Sequence, residues 1–406
     1  MIRSRWVVLT IMCLCVFQNT LNWFCLAPAF SPIIRELHLT TGQMGNLVAA
    51  FVAGYGVFHL PGGLLSARLG MRLTLLLGIV VEGLASLGCY FATTYDWLIV
   101  CRFIGGVGGA ACFGSAIGIV SAWFRGRELA LASGILTGLS FTLGATAGLS
   151  LWSPIIDALG WRLATGLAGL IGLGVAVVAG LIPLIPPAHQ QALSGNHLNR
   201  ATLMRILGNR TIWMWGLCSF GVYGSSITAM QFVALWSTQT LHLSPGQSNL
   251  TAALFALSPI PAAIVGGWIA DRYGNLRVLI PGSFALSGIL YLLLPLATSH
   301  TVYAAVVAVS FVYSAGLTPW FALPAMYPER VKLADIPAAS GLMLSLAAIG
   351  GIIVPVIFGK LTNSNGFSSG WQFLGISSII FSLAGLAAGS PDRASRTAET
   401  SMLTSK

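Results

Sequence analysis

Apolar residues gather in twelve stretches along the chain, at approximately 6–30, 44–64, 73–93, 97–122, 129–153, 162–186, 211–236, 248–270, 277–297, 301–326, 336–360 and 370–389. Each is close to the roughly 20 residues that a helix needs to cross the hydrocarbon of a bilayer. None shows the period-two alternation of a membrane β-strand, and backbone groups in lipid must be satisfied within their own segment. The pattern therefore predicts twelve spanning α-helices and no barrel. The longest polar interval, from about Pro187 to Arg210, contains AHQQALSGNHLNR and reads as a linker between two sets of six.

Composition agrees: 56% of residues are hydrophobic, 7% are charged and the mean hydropathy is +0.85. A soluble domain carries roughly 25% charge. The net charge of +10 has to be read by position. With the N-terminus in the cytoplasm, sixteen basic residues, among them Arg3, Arg68, Arg72, Arg272 and Arg277, fall on the cytoplasmic side. Only three, Arg35, Arg162 and Lys360, lie near the opposite face. The positive-inside rule accounts for that bias without a nucleic-acid partner and makes both termini cytoplasmic. Arg3 and Arg5 ahead of an apolar run, with Ala27-Pro-Ala29 behind it, imitate a secretory signal. The length of the run and its polar Gln18, Asn19 and Asn22 favour a retained first span. All seven cysteines lie in spans, without CxxC or a neighbouring histidine, so neither a disulfide framework nor a metal site is expected.

Three phrases recur half a chain apart. GGLLSARLG at 62–70 returns as GGWIADRYG at 266–274, an offset of 204. WFRGRE at 123–128 matches MYPERV at 326–331, and Gly160-Trp161 matches Gly370-Trp371. Repeats with the same in-out sense imply two parallel six-helix bundles. Their expected bounds are 1–186 and 211–389, with a linker at 187–210 and a cytoplasmic tail at 390–406.

These residues resemble the major facilitator superfamily over essentially the whole chain. The family's G-x-L-A-D-R-x-G-R-K loop is matched by Gly63, Leu65, Arg68, Gly70 and Arg72, and again by Gly267, Ala270, Asp271, Arg272 and Gly274. The resemblance implies a secondary transporter working by alternating access, with its binding site between the halves near mid-membrane. In the family, the loop's aspartate faces the start of a helix in the other half. Only the second copy keeps that charge, at Asp271, because Ala67 replaces it in the first. An asymmetric gate held by Asp271 is expected, against the plainer reading that Arg68 and the glycines suffice.

Ionisable groups inside spans are costly and are functional candidates by default. Arg102 lies about 7–8 Å below the outer surface in the fourth span. It can fork onto a carboxylate, or hydrogen-bond neighbouring helices and organise packing. Gln18, Asn19, Asn22 and Trp23 reach a similar depth on the first span. The second half offers Tyr223, Ser225, Ser226 and Thr228 on the seventh span, and Ser310, Tyr313, Ser314, Thr318 and Trp320 on the tenth. The expected binding residues are Gln18, Asn19, Asn22, Trp23, Arg102, Tyr223, Ser226, Tyr313 and Trp320. Glu82 is the one acid deep in a span and a candidate for proton coupling, although the third span is peripheral in the family and Glu82 sits roughly 8–10 Å below Arg102 by depth. His59 is a second candidate, with a packing role as its alternative. GGVGGA at 105–110 follows no strand and reads as helix packing rather than a nucleotide loop. Prolines concentrate in spans 8 to 11 (Pro259, Pro261, Pro281, Pro319, Pro324, Pro355), so helix bending is expected mainly in the second half.

WFRGRELALASG and GWR resemble the nitrate/nitrite, cyanate-type and anion:cation symporter branches. The nitrate branch's arginines in helices 2 and 8 have no counterpart, and the organic-anion branch's helix 4 glutamate falls at Gly109. The leading expectation is an inner-membrane, multi-pass transporter of a small organic anion, working as a monomer and coupled to a proton. A drug or metabolite exporter, a sugar-like solute carrier and a non-transporting sensor are the alternatives. Too few carboxylates lie inside the spans for an enzyme, and no cofactor or metal is expected.

Overall fold

A computed structural model describes residues 2–124, 127–182, 184, 200–273, 275–327, 330–331 and 336–388. Among them there are helices and no strands. The first six spans are α1 (Ile2–Phe24), α2 (Thr41–Leu69), α3 (Met71–Gly88), α4 (Tyr95–Trp123), α5 (Leu131–Leu151) and α6 (Ser153–Gly180). The second six are α7 (Arg210–Thr240), α8 (Pro245–Ala270), α9 (Leu276–Leu293), α10 (Val302–Ala322), α11 (Ile336–Asn365) and α12 (Phe367–Ser382). Eleven stretches are long and apolar enough to cross a membrane, and the 29-residue α2 completes the twelve. Their outward faces present bare apolar side chains such as Leu151, Val177 and Ile264, as lipid contact requires. The chain is an integral, multi-pass membrane protein.

The duplication extends further than the three phrases. LHLTTGQ at 37–43 and LHLSPGQ at 241–247 form the same turn. In both, the histidine takes a left-handed backbone, φ 52° at His38 and at His242. In both, the next helix opens with a capping box, Thr40 with Gln43 and Ser244 with Gln247. The capping side chains supply partners for amides that the first turn of a helix leaves unpaired. The third phrase aligns differently from expectation. The equivalent of Gly160 (φ 80°, ψ 156°) is Gly366 (φ 80°, ψ 171°), because α12 opens at Phe367, three residues before Gly370. Gly370 is instead a contact residue: a Cβ there would stand 2.4 Å from Thr362 Oγ1.

Irregular helix also appears in the first half, contrary to the proline count. α5 contains two π-helical stretches, Ile135–Ser140 and Ala147–Leu151, and Ser140 Oγ donates to Ile135 O five residues back. Proline is not needed for such a bulge. Between and within these stretches, Gly144 and Gly148 press on α1; a Cβ at Gly144 would stand 2.3 Å from Phe17 O. In the second half α8 breaks at Ser258, between Leu257 and Pro259, as its prolines predict, while Pro281, Pro319 and Pro355 remain inside continuous helices.

The halves meet along α2 with α11 and along α5 with α8. Ser150 Oγ donates to Asn249 O at 3.1 Å, and Phe30 packs on Phe232. Gly42 faces Gly359, and a Cβ at Gly45 would stand 2.3 Å from Pro355 O. These contacts lie at the face opposite the N-terminus. Toward the arginine-rich face Gly63 has no atom within 4 Å of a Cβ position, and Arg68 is exposed. Gly45→Leu is therefore expected to wedge α2 from α11. In a Gly42→Cys/Gly359→Cys pair, cross-linking should fall several-fold once Gly45→Leu is added; unchanged cross-linking would show that the contact does not close this face.

Candidate functional site

The first half buries a polar assembly where α1, α3 and α4 meet. Gln18, Asn19 and Glu82 are 0% exposed and Arg102 is 5% exposed. Gln18 Nε2 donates to Glu82 Oε2 at 3.3 Å. With the amide oriented to satisfy its hydrogen bonds, the Asn19 nitrogen stands 2.8 Å from Glu82 Oε1. Asn22 Nδ2 donates to Gln18 Oε1 at 3.1 Å and to Ala168 O at 3.3 Å. Helical spacing places these three amides on one stripe of α1.

Glu82 reaches this assembly despite its peripheral helix because α4 gives way. A Cβ at Gly108 would stand 2.5 Å from Glu82 N, and one at Gly109 would stand 2.5 Å from the Asn19 amide and 3.4 Å from Glu82 Oε1. The position where a helix 4 glutamate was looked for is thus a glycine, with the carboxylate of a neighbouring helix beside it. The same glycine stripe admits α2, since a Cβ at Gly106 would meet Phe51 O at 2.0 Å. GGVGGA is a helix-packing surface, as its sequence context predicted.

Arg102 grips the end of α1. Its two terminal nitrogens donate to Asn22 O at 3.1 Å and Trp23 O at 2.7 Å, one turn from where the helix stops at Phe24. The guanidinium lies 4.4 Å from the Phe51 ring centroid, and Nε has no partner. A cation at a helix C-terminus satisfies exposed carbonyls and meets the negative end of the helix dipole. Trp23 stacks within 4.9 Å of both Phe51 and Tyr55, with Phe141 edge-on at 6.1 Å. Tyr55 carries the series on to His59, 4.4 Å away and half-buried, and to Phe113 at 6.3 Å. Phe51, Tyr55, Phe113 and Phe141 were not anticipated; apolar rings in apolar spans carry no signal until helices are placed side by side.

In the second half the hydroxyls divide into two groups. Ser225 donates to Leu374 O, Thr228 to Gly224 O and Ser310 to Phe255 O, all holding backbone. Trp320 is buried at the far end of α10, its indole donating to Trp215 O at 2.9 Å, while Trp215 donates to the Tyr327 hydroxyl. Its ring fills the core under that end of the bundle. The other group surrounds Ser226: the Tyr291 and Tyr313 hydroxyls approach it, and Tyr223 packs against the core cluster that contains Tyr313. Tyr291 was not anticipated. The Tyr223 ring reaches the join between halves, 3.4 Å from a Cβ position on Gly351, which also faces Val52 of α2.

The repeated loop motif proves to fasten each bundle to itself. Arg72 donates to Gly180 O at the end of α6, and Arg277 donates to Leu386 O after α12. Arg277 is the counterpart of Arg72 displaced by one inserted residue, which hid it from a fixed-offset comparison. Gly70 takes φ 85°, a conformation that favours glycine, and Arg272 lies over Trp268. Gly267 is half-buried with open space around it. The Asp271 clasp falls on a side chain outside the described residues, as do the Ala67 side chain and Gly274.

The Major Facilitator Superfamily model matches residues 12–235 and 215–402. The chain belongs to this superfamily. It is 26% identical over 397 residues, 90% of this chain and 89% of the relative, to the probable sulfoacetate transporter SauU of Cupriavidus necator. It is 22% identical to the nitrite extrusion protein of Bacillus subtilis, covering 90% of each. It is 24% identical to the D-galactonate transporter of Escherichia coli O6:H1, covering 94% and 95%. A solved structure of a bacterial homologue of the lysosomal transporter Spinster, inward-facing and occupied, shares the fold with TM-score 0.76 at 17% identity over 95% of this chain and 96% of that one. This superfamily member is a transporter and not an enzyme.

Arg102→Gln leaves two carbonyls at the end of α1 without their charged donor. It is expected to lower stability by about 1.5–3 kcal/mol, with Arg102→Lys recovering only part because an ammonium cannot fork onto both carbonyls. Melting temperatures of the purified variants in detergent check this; a neutral Arg102→Gln would exclude the capping role.

Proposed function

We propose that this transporter moves a small organic anion together with a proton, by alternating access between its two halves. The carrying observation is the isolation of one acid in the membrane. Among the described residues Glu82 and Arg102 are the only buried charged side chains, and they are joined through the α1 amides without a direct salt bridge. A carboxylate held by neutral amides can take up and release a proton without breaking an ion pair. The organic-anion substrate is supported by the relatives named for sulfoacetate and galactonate. The relative named for nitrite extrusion favours an inorganic anion, but no arginine stands in α2 or α8 above the cytoplasmic ends to bind one.

On this reading the arginine-rich face is cytoplasmic and both termini lie on that side. The bundles 1–186 and 211–389 rock about the α2–α11 and α5–α8 contacts, joined by the linker 187–210 and followed by the tail 390–406. Each copy supplies both halves of the proposed site, and the proposed working unit is the monomer. Candidate roles follow from placement: Gln18, Asn19, Asn22 and Glu82 handle the proton, and Trp23, Tyr55, Phe141 and Tyr223 enclose the substrate. His59 stands on the cytoplasmic side of Tyr55 as an exit for the proton.

In proteoliposomes an acidic exterior should drive accumulation of sulfoacetate or galactonate by the wild type, and raising the external pH should abolish it. Glu82→Gln is expected to lose proton-driven accumulation at least tenfold, the scale on which removing a general proton acceptor acts, while counterflow of labelled substrate persists. Loss of both activities in a folded variant, or loss of neither, would remove Glu82 from coupling.

A further inference from the structure

We infer that the anionic group of the substrate is held in the second half, by the neutral hydroxyls of Tyr223, Ser226 and Tyr313, and not by Arg102. This deepens the organic-anion reading and rests on it. The first half is poorly suited to the task. Both terminal nitrogens of Arg102 already hold α1 carbonyls, and the carboxylate of Glu82 lies in the same assembly, where it opposes a second anion. A carboxylate or sulfonate placed there would have to displace two buried hydrogen bonds and share the remaining charge.

The second half offers donors without an opposing charge. Among the described residues no buried acid or base lies in α7 to α12. Ser226 has the Tyr291 and Tyr313 hydroxyls beside it, and Tyr223 packs against the core cluster that contains Tyr313. Ser314 is buried with its hydroxyl unpartnered, and the Tyr291 hydroxyl, wholly buried behind Ser226, lacks a geometrically formed hydrogen bond. Buried polar groups without partners are uncommon and call for an explanation; for Tyr291, a hydroxyl beside Ser226 awaiting an acceptor provides one. Tyr223 extends this group to the join between the halves, where it and Val52 of α2 both approach Gly351.

The repeat makes the division of labour explicit. At the offset of 204 that relates the first and seventh spans, Asn19 corresponds to Tyr223 and Asn22 to Ser226, so hydroxyls stand where the first half has amides. One ancestral pocket has become an acid held by amides on one side and a hydroxyl cluster on the other. Tyr291 is a positioning residue, since its hydroxyl faces Ser226 from behind.

The test uses the full-length protein in detergent, with sulfoacetate and galactonate as probes and galactose as the neutral control, read by thermal shift and by the KM and kcat of uptake. Tyr223→Phe and Tyr313→Phe each remove one oxygen. They are expected to weaken anion binding roughly ten- to hundredfold, as loss of a hydrogen bond to a charged group does. KM should rise with kcat and the ligand-free melting temperature little changed. Unchanged binding in both variants would overturn the subsite, as would loss of anion binding in a stably folded Arg102→Lys with the phenylalanine variants silent. A wild type that recognises neither anion would instead overturn the organic-anion reading, and the subsite with it.

Discussion

A helix that ends or bends inside a bilayer must find partners for its terminal amides and carbonyls within the protein, because the hydrocarbon offers none. That constraint explains where this chain places its few polar side chains. Arg102 closes the carbonyls at the end of α1. Thr40 and Ser244, each with a glutamine three residues on, close the amides at the starts of α2 and α8. Arg72 and Arg277 take the carbonyls that end α6 and the segment after α12. In each case a polar group retained in an apolar chain has a backbone group as its target, and the helices can then be mostly apolar.

Once the helix ends are closed, packing depends on glycine. Backbones approach to contact at Gly106 on Phe51, Gly108 on Glu82, Gly144 on Phe17 and Gly45 on Pro355. Dispersion and weak backbone contacts replace the hydrophobic drive that lipid cannot supply. The same close approach has a chemical consequence. Because α4 carries no side chain at Gly108 and Gly109, α3 comes near enough for its one acid to reach the α1 amides. A packing rule thereby sets the position of the sole buried carboxylate among the described residues.

Sequence alone conveyed the twelve spans, the duplication and the membrane setting, since these depend on composition and on offsets that can be counted. It also brought Arg102 and the α1 amides to one level, because depth along a helix follows from rise per residue. Glu82 was placed by depth alone, below Arg102; depth measures one coordinate, while its lateral reach to the α1 amides depended on which glycines faced which helix. Arg102 kept two readings because its carbonyl partners belong to α1's backbone, and no residue type marks where a helix will stop. Trp320 resembled a cavity residue by spacing, yet its indole found Trp215 O. Arg277 was hidden by a single inserted residue, and the left-handed turns at His38 and His242 carry no glycine to mark them.

The asymmetry between the halves bears on turnover. A transported anion must be bound well enough to be selected and weakly enough to be released from either face. A guanidinium in a dry site binds a carboxylate tightly and recovers slowly, because its charge is left uncompensated when the ligand departs. Hydroxyl donors have no such charge to leave exposed, and Tyr and Ser side chains can turn back to each other after release. On the proposed reading the charge that matters for direction sits on Glu82 in the other half, where a proton removes repulsion from the arriving anion and its departure restores it. Coupling then needs no contact between proton site and substrate, only a cleft narrow and dry enough for one charge to be felt across it.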